Sequence, residues 1–142
     1  MKKILLIHGP NLNNLGKRDV NHYGSLTLVD IEKLTIERAS QENIEVSCFQ
    51  SNHEGKLIDW IQENSIGADA IIINPGALTH YSYALHDALL DTKLPCIEVH
   101  LSDISKREKW RQVSVIKPAC KKQISGKKEQ GYNEAIDLLL SL

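Results

Sequence analysis

Short apolar runs alternate with stretches of helical period from one end of the chain to the other. Strands are predicted at about 2–8, 44–50, 69–74, 94–99 and 112–116. Each is rich in Ile, Val or Leu and mostly lacks polar alternation, as strands covered on both faces do. Between them, Leu28, Ile31 and Leu34 make an apolar stripe at helical spacing behind Thr27, a residue type that caps helix N-termini. Leu57, Ile58 and Ile61 repeat that spacing in 55–64, and Tyr83-Ala84 with Asp87-Ala88 fit a helix over about 80–91. Ala135, Ile136, Leu139 and Leu140 mark a last helix near 129–141. Five strands with helices between them imply right-handed crossovers and a three-layer, doubly wound α/β sheet.

Three of these runs end in knots of polar residues. The first passes into His8-Gly9-Pro10-Asn11-Leu12-Asn13-Asn14-Leu15-Gly16 and on through Arg18 to Tyr23-Gly24. The third passes into Asn74-Pro75-Gly76-Ala77-Leu78-Thr79-His80, and the fourth carries Glu98 and His100 into Leu101-Ser102. In open parallel sheets ligands sit beyond the carboxyl ends of the strands, so one pocket can gather all three segments. Residues 9–25 form the one long non-periodic stretch, and loops of that length in compact domains usually bind or cover ligands.

The 142 residues fit a single domain, 1–142, with a lid loop expected at about 16–25. A net charge of −1 gives no electrostatic reason to expect nucleic acid or an acidic membrane surface. The late lysines, Lys117, Lys121, Lys122, Lys127 and Lys128, read as a solvated face. No apolar stretch approaches the roughly 20 residues of a membrane span, and the N-terminal run has no signal-peptide cleavage pattern. Cys48, Cys96 and Cys120 are odd in number and without a C-x-x-C pair, so they read as reduced structural thiols of a cytoplasmic protein.

Arg18 and Tyr23 admit two readings. A tyrosine in a polar loop is ordinarily a packing residue that also makes a hydrogen bond. The sharper reading is a tyrosinate base: ionising an ordinary phenol at pH 7 costs about 4 kcal/mol. One guanidinium about 4 Å away returns on the order of 4 kcal/mol at an effective dielectric of 20, before desolvation subtracts from it. Glu98 and His100, two apart on a strand, point to one face, so the carboxylate can orient the imidazole and keep it protonated as a general acid. The bland alternative is a satisfied structural histidine. Asn74 offers an amide, and helix starts expected near Thr79 and just after Ser102 suit an anion, although ordinary capping explains such turns equally well.

Several chemistries lack their motifs. There is no G-x-G-x-x-G after the first strand, no Walker-type lysine loop and no G-x-S-x-G elbow. The six histidines show no metal-ligand spacing, so no metal site is expected. A phosphoacceptor receiver domain wants an acidic residue ending the third strand, where this chain has Asn74.

Taken together the segments resemble the type II 3-dehydroquinate dehydratases over essentially the whole chain. The resemblance rests on HGPNLNNLG, the Arg18-to-Gly24 loop, SNHEGKLIDWI at 51–61, INPGALTHYSYALHDAL at 73–89, EVHLSDISKREKWR at 98–111, and ISG with the terminal helix. It implies a flavodoxin-like three-layer sandwich with a five-stranded parallel sheet. It also implies anti dehydration of 3-dehydroquinate to 3-dehydroshikimate through an enolate, with no cofactor and no metal. Carried across by position, Tyr23 is the implied base, supported by Arg18, and His100 the acid, oriented by Glu98. Asn11 is implied to hold a water against the enolate oxygen. Asn74, His80, Leu101, Ser102 and Arg111 are implied to bind the substrate's hydroxyls and carboxylate. Asp87 is implied to reach a neighbouring subunit's site, since the family assembles trimers into dodecamers.

Two departures stand out. The family usually has Arg-Glu-Pro in the lid, and this chain has Arg18-Asp19-Val20; losing the proline loosens the loop. After Leu-Ser the family usually has Asn, and here Asp103 brings a carboxylate that weakens binding unless it caps a helix. The competing reading is a flavodoxin-like domain that merely binds a small anion or nucleotide, which leaves the Tyr23–Arg18 and Glu98–His100 pairs without a use.

Overall fold

A computed structural model describes all 142 residues. Its strands are β1 Lys3–His8, β2 Glu45–Gln50, β3 Ala70–Asn74, β4 Cys96–His100 and β5 Lys122–Ser125. Its α-helices are α1 Val20–Tyr23, α2 Leu28–Ser40, α3 Glu54–Asn64, α4 Tyr83–Asp91 and α5 Gln130–Leu140. The strands pair in parallel throughout, in the order β2-β1-β3-β4-β5. This is the doubly wound, flavodoxin-like arrangement, whose chain reverses its winding between β1 and β3.

The continuous apolar runs are sorted by the two-residue period of a strand. Ile4 and Leu6 of β1, with Ala70 and Ile72 of β3 and Ile97 and Val99 of β4, pack beneath α2 and α5. Leu5, Ile7, Ile71 and Ile73 point the other way, to Leu57 and Ile61 of α3 and Leu85 and Leu89 of α4. Both faces of the sheet are thereby covered, which is why these strands tolerate no polar alternation.

Helix α2 starts with a capping box: Thr27 Oγ1 accepts from Asp30 N at 3.2 Å and Asp30 Oδ2 accepts from Thr27 N at 3.1 Å. Its buried stripe is Ile31, Thr35 and Ala39, not the expected Leu28, Ile31 and Leu34. Thr35 occupies the inward position because its hydroxyl donates back to the Ile31 carbonyl at 2.8 Å, so no polar group is stranded. Helix α4 begins later than expected, behind a Ser82 cap, and turns Leu85, Ala88 and Leu89 inward while Tyr83 and Asp87 face out.

The strand expected at 112–116 is not formed; the fifth strand lies at Lys122–Ser125. The backbone of 113–115 braces the end of the 3-10 turn Gly76–His80 instead. The Val113 carbonyl accepts from His80 Nδ1 at 2.7 Å, and Val115 N donates to the Thr79 carbonyl at 2.7 Å. Strand β5 lies at the sheet margin with one buried residue, Ile124, so its sequence carries almost no apolar signal.

Candidate active site

The β1 and β3 strands end side by side, His8 opposite Asn74 in register, at the point where the winding reverses. The two loops that follow nest closely. Gly9 N donates to the Asn74 carbonyl at 2.7 Å, and a Cβ on Gly9 would overlap the Pro75 carbonyl. A Cβ on Gly76, at φ +60°, would lie 2.8 Å from the Pro10 carbonyl oxygen, so each loop needs its glycine to admit the other. Above them the chain rises through the 3-10 turn Leu12–Asn14 into the 16–25 segment, and β4 delivers His100 from the other side. A cavity of about 100 Å³ is enclosed between them.

Ten of the expected site residues meet around this space. Asn11, Arg18, Tyr23, Asn74, His80, His100, Leu101, Ser102 and Arg111 line it, and Glu98 lies behind His100. Asp87 does not: it lies on the outer face of α4 beside His86, whose Nδ1 is 2.9 Å from Asp87 Oδ1.

Glu98 is fully buried and bonded to His100 Nε2. It also accepts from Thr79 Oγ1 at 2.5 Å, Ser114 Oγ at 2.9 Å and Gln123 Nε2 at 3.0 Å. Burial acts to raise this carboxyl's pKa, but the hydrogen bond and charge of His100, with Thr79 and Gln123, outweigh it and hold the group below the ordinary carboxylate value. A carboxylate only accepts, so Nε2 of His100 carries the proton and Nδ1 is the nitrogen left unbonded. Thr79, expected at a helix start suited to an anion, is instead buried inside the 3-10 turn Gly76–His80 and spends its hydroxyl on Glu98.

His80 is fixed by the same logic. Its Nδ1 faces a carbonyl, which can only accept, so Nδ1 carries hydrogen and Nε2 is left as an acceptor. Burial lowers its pKa and the charges of His100 and Arg111 add to the effect; together they outweigh the Val113 hydrogen bond, which favours the protonated ring, and leave the neutral form preferred. Its ring stands edge-on to Trp110 at 5.2 Å.

The 16–25 segment holds Tyr23 between two cations. The Arg18 guanidinium lies over the phenol, its carbon 3.7 Å from the ring centre, and does not meet the hydroxyl. The hydroxyl accepts from Arg107 Nη1 at 2.7 Å, and the same nitrogen lies 3.4 Å from Ser102 Oγ. Sequence reasoning missed Arg107 because Ser-Lys-Arg-Glu-Lys reads as a solvated charged run. Its one distinguishing signal was position, five residues beyond Ser102 in a strand-end loop. Burial lowers the Arg18 pKa, Tyr23 opposes that, and Arg107 and Arg111 reinforce it. The guanidiniums of Arg18, Arg107 and Arg111 and the imidazoles of His80 and His100 thus crowd one small cavity, an arrangement suited to an anionic ligand.

Asp103 caps the 3-10 turn Ile104–Lys106, accepting from Ser105 N at 3.1 Å and Ser105 Oγ at 2.5 Å. The capped turn begins one residue later than expected, and the Asp103 carboxylate is thereby turned to its own backbone. Asp19 does the same for α1, accepting from Asn21 N at 2.9 Å.

Beneath the floor, Asn74 Nδ2 donates to the Tyr132 hydroxyl at 3.1 Å and Asn74 Oδ1 accepts from Gly76 N at 3.1 Å. The Tyr132 ring lies 6.2 Å from that of His8, whose two nitrogens are buried without a hydrogen bond, Nε2 being 3.4 Å from Glu32 Oε1.

Residues 2–140 match the family model described as Dehydroquinase class II. The chain is 53% identical over 139 residues to the 3-dehydroquinate dehydratase of Dictyoglomus turgidum, covering 98% of this chain and 96% of the relative. It is 54% identical over 138 residues to that of Roseiflexus castenholzii, covering 97% and 88%. The crystal structure of a type II dehydroquinase from Butyrivibrio crossotus superposes with a TM-score of 0.95 at 50% identity, covering 98% of this chain and 97% of that one. On its sequence, its fold and the disposition of its strand-end loops, this chain belongs to the class II dehydroquinase family.

Proposed function

We propose that this chain removes water from 3-dehydroquinate to give 3-dehydroshikimate, through an enolate and with Tyr23 as the base. The observation that carries the reading is the phenol of Tyr23 lying between two guanidiniums in the cavity that also holds the Glu98–His100 pair. As phenolate, Tyr23 takes the proton next to the ketone; Arg18 and Arg107 balance the charge before and after transfer. The enolate oxygen is met by a water on Asn11, a donor aimed where charge develops. His100, protonated on both nitrogens beside the Glu98 carboxylate, gives its Nδ1 proton to the departing hydroxyl, which leaves as water. Asn74, the Nε2 acceptor of His80, the Leu101-Ser102 segment and Arg111 hold the substrate's hydroxyls and carboxylate.

Asp87, turned away from its own cavity, is assigned to a neighbouring copy's site in a dodecamer built of four trimers. The apolar side chains exposed around it, Tyr83 at 69% and Leu90 at 54%, support burial between copies. A measured solution mass of one chain would overturn this assembly. No helix is long and apolar enough to cross a membrane, and the reading places the enzyme in the cytoplasm.

Incubation with 3-dehydroquinate should produce the absorbance of a conjugated enone. Tyr23→Phe should abolish that signal at an unchanged unfolding midpoint; near-normal turnover in the variant sinks the phenolate role. Borohydride added with substrate should leave activity intact, because no lysine imine forms.

A further inference from the structure

Cys96 and Cys120 lie outside the catalytic cavity, in the layer formed by α3 and α4. The Cys120 thiol donates to Cys96 Sγ across 3.5 Å. Cys96 opens β4 and is 1% exposed, whereas Cys120 is half-buried at the end of the 3-10 turn Lys117–Ala119. The backbone already pins the two segments together: Lys121 N donates to the Cys96 carbonyl at 2.8 Å, and Lys122 then pairs opposite Ile97. The third thiol, Cys48, sits on β2 at the far edge of the sheet and packs in the opposite layer.

A disulfide places its sulfurs about 2.05 Å apart, so the pair must close by about 1.5 Å. Because the backbone pairing already fixes the two segments side by side, the closure falls to the two side chains. We propose that Cys96 and Cys120 form a reversible two-electron oxidation site that hydroperoxides convert to a disulfide between β4 and the turn leading into β5. The site is independent of the reaction assigned above.

Cys120 is the thiol that a dissolved oxidant reaches. Its sulfur attacks the O–O bond of hydrogen peroxide; an S–O bond forms, the O–O bond breaks, and the second oxygen leaves as water with the thiol proton. Cys96 sulfur then attacks the sulfenic sulfur. The S–S bond forms, the S–O bond breaks, and the hydroxyl leaves as water with the Cys96 proton. Overall two thiols give up two electrons and two protons, and one peroxide becomes two waters. Burial, with the adjacent Cys120, pushes the Cys96 thiol well up, so Cys96 reacts through contact with its neighbour and not as the first thiolate attacked.

The test is exposure of the whole protein to hydrogen peroxide, followed by thiol counting in denaturant and peptide mapping without reduction. The three free thiols should fall to one and return on adding dithiothreitol. The map should show the Cys96 and Cys120 peptides joined. Cys48→Ser should form the same link, and Cys96→Ser should stop at a sulfenic acid on Cys120 that dimedone traps. Survival of all three thiols, over-oxidation of Cys120 without a link, or a bridge through Cys48 or between two copies overturns the proposal. If Cys96→Ser fails to fold, the wild-type peptide map decides alone.

Discussion

Arg107 and Arg18 address one phenol from two directions: Nη1 of Arg107 donates to the Tyr23 hydroxyl at 2.7 Å, and the Arg18 guanidinium covers the ring at 3.7 Å. A charge at the hydroxyl meets the phenolate oxygen directly, and a charge over the face acts on the electrons delocalised into the ring. Each is worth up to about 4 kcal/mol at an effective dielectric of 20, and a tenfold in rate is about 1.4 kcal/mol. Arg107→Gln and Arg18→Gln should therefore each lower kcat by roughly 10²- to 10³-fold, with Arg107→Lys in between. Steady-state kinetics on 3-dehydroquinate decide it. An Arg107→Gln enzyme within about twofold of wild type removes Arg107 from the reacting state.

Glu98 makes His100, the proposed acid, sensitive to side chains that line no cavity. Its carboxylate is held below the ordinary value of 4.5 by donors from three segments, including Gln123 on β5. A depressed folded-state pKa contributes stability in full above the unfolded value and loses it as pH falls through the folded one. Melting between about pH 3 and 7 should show a steep acid limb that Glu98→Gln flattens while lowering stability at neutral pH. Gln123→Leu, which strands one lobe of a buried carboxylate, should cost about 1.5–3 kcal/mol at pH 7. An unchanged acid limb in Glu98→Gln would mean that the buried carboxylate does not titrate with unfolding.

Much of this was legible before any coordinates. Unbroken Ile-Val-Leu runs announce strands covered on both faces, and Glu98 with His100, two apart on one, announce a shared direction. What was hidden has physical reasons. Strand β5 buries only Ile124, so Val113 and Val115, whose backbone braces His80 and Thr79, imitated a strand better than the strand did. Arg107 sits in a charged run whose other members are solvated, and only the loop's path turns it inward. Likewise Tyr132, silent in a terminal helix, reaches the active site because α5 packs under β3 and β4.

Tyr132 supports a prediction that separates positioning from chemistry. Asn74 has its Oδ1 committed to Gly76 N and one Nδ2 hydrogen to the Tyr132 hydroxyl, which leaves the other hydrogen for substrate. Tyr132→Phe keeps the ring against His8 and removes the acceptor, at about 1 kcal/mol for a neutral hydrogen bond. KM should rise roughly fivefold with kcat little changed, because a freed amide binds substrate and transition state equally less well. A fall in kcat at constant KM would assign Asn74 to the transition state alone.

Val20 gives the lid its own test. It is the first residue of α1, directly after the Asp19 cap, and it is 57% exposed. Proline is favoured at that position, because the first helical N–H has no intrahelical partner and the ring presets the required φ. Where the native backbone suits it, such a substitution stabilises the ordered form by about 0.4–1 kcal/mol through the disordered one. The ordered form here is the 16–25 segment with Arg18 set over Tyr23, which we propose is the closed form of a lid. Val20→Pro should accordingly lower KM by about two- to fivefold, and it should slow any step that needs the lid to open. Stopped-flow binding of a substrate analogue, read beside kcat, separates the two effects. A Val20→Pro enzyme with raised KM would show that α1 must unwind, not merely swing, for the substrate to enter.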